Sequence, residues 1–216
     1  MEAISVLKVQ PVTEQDFQSE IQKVTNFANT SHAGQIRKGS GLPFIVHPFE
    51  VLALVSEWGV GGELIDESVT EDERRGRKLL VWKTALCHDI REERLDIDYE
   101  KMVQFLGKQA ADVCEELAFL PDNANPLPVP VQKAAYLKSF DRKSVYALVV
   151  KCADRIRNTH NFLCDDIDYA NKYWKKASSL FDTMFTRGEE ITEVLGLDVF
   201  PRMKYSKDCT QRMVVR

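Results

Sequence analysis

Apolar residues recur at helical spacing along most of the chain. Phe17, Ile21, Val24, Phe27 and Ala28 fall on one face of a helix that starts near Thr13, where Thr13-x-x-Asp16 resembles a capping box with Asp in place of Glu. Pro48 suits the first turn of a second helix, which continues through Val51, Leu52, Leu54, Val55 and Trp58 and stops at Gly59. Residues 61–78 begin loop-like and become heavily charged, which predicts a solvated excursion into the next helix. Leu79 to Ile90 is an apolar helix-like run. Tyr99 to Leu120 reads as helix broken at Gly107, with Phe105, Ala110, Val113, Cys114 and Leu117 inward.

Pro121, Pro126, Pro128 and Pro130 crowd ten residues, which predicts a loop and excludes helix there. Helices follow over Val131 to Ser139, Ser144 to Cys164 and roughly Asp166 to Thr186, with Asp141 or Ser144 capping the middle one. Val145 to Val150 is apolar enough for a buried strand, but it runs on at helical period into Cys152 and Ile156. The expectation is an all-α fold in one domain over 1–216, with a motif-bearing core at about 25–165 and C-terminal helices at 166–216.

The 216 residues suffice for one sizeable core, and 44% hydrophobic with 29% charged residues reads as globular. Net charge is −4 and the pI is near 5.7, which argues against a nucleic-acid partner, whose footprint is usually basic. An anionic ligand must therefore meet a local basic cluster. The five cysteines form no CxxC, and a reducing cytoplasm is the simplest compartment. Met1 to Gln10 lacks the basic and apolar regions of a secretory signal, and no apolar run is long enough to span a membrane. Self-association into a homo-oligomer stays open.

The chemistry concentrates around His88-Asp89, an adjacent pair of metal-ligand types in the apolar run, with Glu92 and Glu93 one turn further. His47 lies upstream and Asp154 downstream; Asp154 and Asn158 repeat the four-residue spacing. An imidazole and carboxylate set with open positions suits a hard or borderline divalent ion such as manganese. Such an ion lowers the pKa of bound water and polarises a phosphorus–oxygen bond, while Glu92 or Glu93 manages the proton. Basic residues gather at the same places: Arg37 and Lys38 in a loop with Gly39 and Gly41, and Lys151, Arg155 and Arg157 around Asp154. Arg forks match phosphate oxygens and Lys supplies a point charge. Together these point to a metal-dependent hydrolase acting on an anionic substrate.

The segments HAGQIRKGSGLPFIVHP (32–48), ALCHDIREE (85–93) and KCADRIRN (151–158) resemble the hydrolase domain of the RelA/SpoT homologues, a branch of the HD superfamily. The resemblance implies an HD-type helical domain that removes the 3′-pyrophosphate of (p)ppGpp. It implies one Mn²⁺ ion on His47, His88, Asp89 and Asp154, and catalytic roles for Glu92 and Glu93. It places Arg37 and Lys38 on phosphate- and base-contacting positions and Asn158 on a nucleotide-contacting one; Arg155 and His160 join them as substrate-binding candidates. The partner implied is a small-molecule nucleotide polyphosphate. About 50 residues follow the last block, so a stand-alone small hydrolase without a synthetase domain is expected.

Departures from the family pattern are Glu93 for Asp, Arg94 for Thr, and His160-Asn161 where Arg with Thr or Asp is common. They keep two alternatives in view: the same chemistry on adenine alarmones or another nucleotide phosphate, and a non-catalytic nucleotide-sensing domain. Two-metal HD phosphodiesterases need further histidines between the His-Asp pair and the last Asp, and residues 90–153 contain none. His32 reads as a packing or hydrogen-bonding residue near the Arg37 loop. Trp58, Trp82 and Trp174 read as core rather than base-stacking platforms.

Overall fold

Every residue from Val145 to Ile156 is buried, so the first part of α8 (Val145–Asp165) is enclosed on all sides and forms the centre of the molecule. The strand-like run Val145–Val150 is helix, and Ser144 caps it by accepting the Ala147 N–H at 3.2 Å. The computed structural model describes residues 8–38 and 40–214. The reading of Met1 to Gln10 falls largely outside that range, as does Gly39.

Around α8 pack α2 (Val46–Glu57), α3 (Glu71–Cys87), α6 (Lys108–Leu117), α9 (Ile167–Lys175), α10 (Ser178–Thr186), α11 (Gly188–Leu195) and α12 (Val199–Val214). An outer layer adds α1 (Glu14–Ser31), the one-turn α4 (Ile90–Glu93), α5 (Tyr99–Leu106) and α7 (Val129–Lys138), which runs into a 3₁₀ turn at Ser139–Asp141. The fold is all-α; among the described residues the single β-type contact is an isolated bridge, Ile36 to Pro43. No described helix is long and apolar enough to cross a membrane.

Three local expectations need correction. The charged stretch is not a solvated excursion throughout. It turns helical at Glu71, because Thr70 and Glu73 form a complete capping box and three acids fill the first turn, where the helix dipole favours them. Pro130 does not lie outside helix: it occupies the first turn of α7, where a missing N–H costs nothing. The Thr13 cap is half a box. Thr13 accepts the Asp16 N–H, but the Asp16 carboxylate takes the Thr13 hydroxyl at 2.7 Å instead of the backbone N–H. The break at Gly107 is as expected, with φ +81°.

Candidate active site

Three helices deliver the four expected metal ligands to one point. His47 is the second residue of α2. The loop before it is pinned by Arg37 N–H to Leu42 O at 2.8 Å and Phe44 N–H to Gln35 O at 2.9 Å, and Gly41 at φ +68° lets it turn. His88 and Asp89 do not sit within one continuous helix. His88 caps the end of α3 and Asp89 starts α4, so the pair lies at a joint that opens its side chains to the interior. Asp154 comes from the middle of α8.

His47 Nε2 lies 3.2 Å from Asp154 Oδ1 and 3.5 Å from Asp89 Oδ2. His88 Nε2 lies 3.1 Å from Asp89 Oδ2 and 3.8 Å from Asp154 Oδ1. Ligand atoms of His47, His88 and Asp89 all fall within 4.8 Å of one another.

The hydrogen bonds test whether a cation fits there. His88 Nδ1 is 2.8 Å from the Ala85 carbonyl, which can only accept, so Nδ1 carries a proton and Nε2 is the nitrogen that faces the carboxylates. Nε2 is buried with no hydrogen-bond partner. Burial by itself lowers the His88 pKa, but Asp89 and Asp154 override it and raise it to about 9. Burial likewise opposes ionisation of Asp89 and Asp154. The imidazoles outweigh it for Asp89, as Lys151 with His47 does for Asp154, and both stay well below the usual carboxylate range. Two ionised carboxylates therefore demand positive charge between them; here a protonated His88 supplies it, and a divalent ion that displaces that proton would find two carboxylates and two imidazoles as donors.

Glu92 and Glu93 both line the 190 Å³ cavity beside these ligands. Glu92 accepts the Phe119 N–H at 3.0 Å, so the loop after α6 holds it in place. Glu93 is exposed; its pKa is raised by partial burial and then by the charges of Asp89 and Glu92. Asn158 donates to Asp154 Oδ1 and accepts from Arg37 Nη2. Arg37 and Lys38 line an adjoining outer cleft of 340 Å³, walled by Ile36, Phe44 and Phe162. Arg155 reaches the inner cavity.

The structure places His160 elsewhere. It lies on the far side of α8 with Nε2 2.8 Å from Thr210 Oγ1 of α12. Six residues beyond Asp154 is about 120° off around a helix, whereas Asn158, four beyond, is only about 40° off. His32 is buried, 2.7 Å from Gln35 Oε1 and stacked on Phe44, as its packing role predicts. Trp58 and Trp174 are buried in the core, and Trp82 is half-buried against it.

Sequence reasoning missed three residues. Glu50 pairs with Arg37 at 3.0 Å and accepts from Asn161 at 3.1 Å; its position three after His47, on the same face of α2, was the available signal. Lys133 and Tyr173 line the inner cavity from α7 and α9 and carry no local signal at all.

The helical architecture and the meeting of His47, His88, Asp89 and Asp154 are what the resemblance to an HD-type hydrolase domain implies, and the sequence is similar to curated ppGpp hydrolases. It is 27% identical over 143 residues to a guanosine-3′,5′-bis(diphosphate) 3′-pyrophosphohydrolase of Spiroplasma citri, covering 64% of this chain and 16% of that protein. It is 28% identical over 160 residues to the bifunctional (p)ppGpp synthase/hydrolase SpoT of Escherichia coli (strain K12), covering 71% of this chain and 19% of that protein. The chain thus spans less than a fifth of the length of these curated relatives. No family model matches it. Among solved structures, that of a metazoan ortholog of SpoT described as hydrolysing ppGpp has the same fold, with TM-score 0.63, 18% identity, and coverage of 91% of this chain and 97% of that one.

Proposed function

We propose that the chain hydrolyses the 3′-pyrophosphate of guanosine 3′,5′-bis(diphosphate) and related (p)ppGpp alarmones, using one Mn²⁺ ion held by His47, His88, Asp89 and Asp154. The observation that carries this reading is the buried, unpartnered Nε2 of His88 facing two ionised carboxylates, with His47 Nε2 completing the set. Residues 1–216 act as one unit, the motif-bearing core at about 25–165 supported by the C-terminal helices.

When bound, the ion supplies Lewis acidity and lowers the pKa of water at the site. The chain's own residues do the rest. Overall, a water oxygen bonds to the phosphorus attached to the ribose 3′-oxygen, the bond from that phosphorus to the 3′-oxygen breaks, and inorganic pyrophosphate leaves. Glu93, at the cavity lining, takes a proton from the attacking water, and the departing 3′-oxygen ends protonated. Glu92, held by the Phe119 N–H, orients the water. Arg37 and Lys38 hold phosphate and nucleoside in the outer cleft, Asn158 links Arg37 to the ligand Asp154, and Arg155 works in the inner cavity.

Metal-stripped protein incubated with ppGpp, pppGpp, ppApp and pppApp, with and without Mn²⁺, tests the proposal by anion-exchange chromatography. The expected products are pyrophosphate with GDP or GTP, only with metal. Release from the adenine compounds alone reassigns the base, and no product from metal-loaded protein overturns the enzymatic reading.

A further inference from the structure

Residues 120–128 are exposed at every position except the half-buried Asn125, so packing does not hold this segment in place. Its own hydrogen bonds only fold it on itself: Asp122 accepts the Ala124 N–H at 2.9 Å, and Asn125 accepts the Leu127 N–H at 3.0 Å. One side chain ties it to a helix. Gln132, near the start of α7, accepts the Asp122 N–H at 3.0 Å and donates to the carbonyls of Asp122 at 3.1 Å and Leu127 at 2.8 Å. No other side chain among the described residues bonds to residues 120–127 from a helix. The clamp needs both the donor and the acceptor of a long amide, which a carboxylate or an ammonium cannot supply.

Three residues before Asp122 is Phe119, whose N–H holds Glu92 at 3.0 Å. Among the described residues that is the one hydrogen bond the Glu92 carboxylate makes. Two side chains of α7, four residues apart and so on one face, grip the chain on either side of Phe119. The Tyr136 hydroxyl donates to the Leu117 carbonyl at the end of α6, and Gln132 clamps Asp122. Without Gln132 the Phe119 N–H is held from the α6 side alone. Gln132 itself lines neither the inner cavity nor the outer cleft.

We propose that Gln132 is a positioning residue for Glu92, an inference that rests on the hydrolase reading above. By clamping Asp122 it sets where the Phe119 N–H points, and through that N–H it sets the carboxylate that orients the attacking water. It acts on the rate of the reaction and not on the hold on the substrate.

Gln132→Met keeps the length of the side chain and removes all three hydrogen bonds. In metal-loaded protein, kcat for ppGpp should fall about tenfold with KM within about twofold of wild type. Hydrogen exchange at the Phe119 amide, read by mass spectrometry at single-residue resolution, should speed up about tenfold. Exchange at Ala118, whose N–H is bonded to the Cys114 carbonyl at 3.0 Å, should stay within about twofold. In a Glu92→Ala background the Phe119 N–H has no carboxylate to hold, so Gln132→Met should change the residual rate by less than about twofold. Unchanged kcat, unchanged Phe119 exchange, or an equal fall in kcat with and without Glu92 overturns the positioning role. Faster Phe119 exchange in the variant, when wild type leaves ppGpp intact, overturns the hydrolase reading and keeps the clamp.

Discussion

The floor of the site and its mouth are built by different means. At the floor, His47, His88 and Asp154 are almost fully buried, and each is fixed by the helix that carries it. Asp154 is flanked on α8 by Lys151, one turn before it, and Asn158, one turn after. At the mouth, Ile36 and Lys38 are exposed, and Arg37 owes its position to a network, donating to Glu50 and Asn158. Packing sets the floor, so its geometry is stiff and changes there should be all-or-none. Side-chain contacts set the mouth, so changes there should be graded.

The largest effect should come from Asp89→Asn, which removes one of the two charges that demand a cation. Turnover of ppGpp should fall by about 10³-fold or more, equivalent to roughly 4 kcal/mol of lost transition-state stabilisation. Chelation of the metal should do the same. Retained activity in either case would mean that the floor is not where the reaction occurs.

Next is Lys151→Met, which strips a buried partner from Asp154. Breaking a buried ion pair predicts about 3 kcal/mol lower stability, read as a shifted urea midpoint. A shift below about 1 kcal/mol would show that the floor is as tolerant as the mouth.

Glu50→Gln should be gentler. It weakens a partly exposed ion pair worth about 1 kcal/mol, so KM should rise about fivefold with kcat nearly unchanged. A collapse of kcat instead would show that the mouth is coupled to the floor through Arg37 and Asn158. His160→Ala should leave KM within about twofold, since a single hydrogen bond to Thr210 costs only about 1 kcal/mol of stability.

The smallest effect is on pH dependence, away from both regions. Burial between Tyr136 and Phe140 lowers the Lys143 pKa to about 8 from the ordinary 10.5, despite an opposing pull from Glu116. Below pH 8 folded and unfolded chains both hold that proton and the penalty is constant. Between about 8 and 10.5 the unfolded chain holds more protons, so this group makes stability rise with pH. Lys143→Met should flatten that rise in urea midpoints measured from pH 7 to 9.

Much of this was legible in the residues. The helical period of Phe17 to Ala28, the stop at Gly107 and the cap at Ser144 are local signals with local causes, and the structure follows them. His88-Asp89 was legible because its members are adjacent, and Asn158 because four residues is one turn. His160 sits on a different face of α8 from Asn158, because six residues past Asp154 does not complete a whole number of turns. The start of α3 was hidden because its first two turns are charged, and only the Thr70–Glu73 box marks it.

By itself the sequence determined the all-α class and most helix positions, since these depend on spacing along one chain, while His47, His88, Asp89 and Asp154 were grouped as donors by the resemblance of three blocks to a known family. Tertiary structure alone decided what each donor faces. It brought Lys133 from α7 and Tyr173 from α9 to the cavity, aimed the Phe119 N–H at Glu92, and left the Arg155 Nε buried without a hydrogen-bond partner. Those outcomes depend on how helices far apart in sequence pack around α8, and charge compensation in a buried site is a property of that packing rather than of any local pattern.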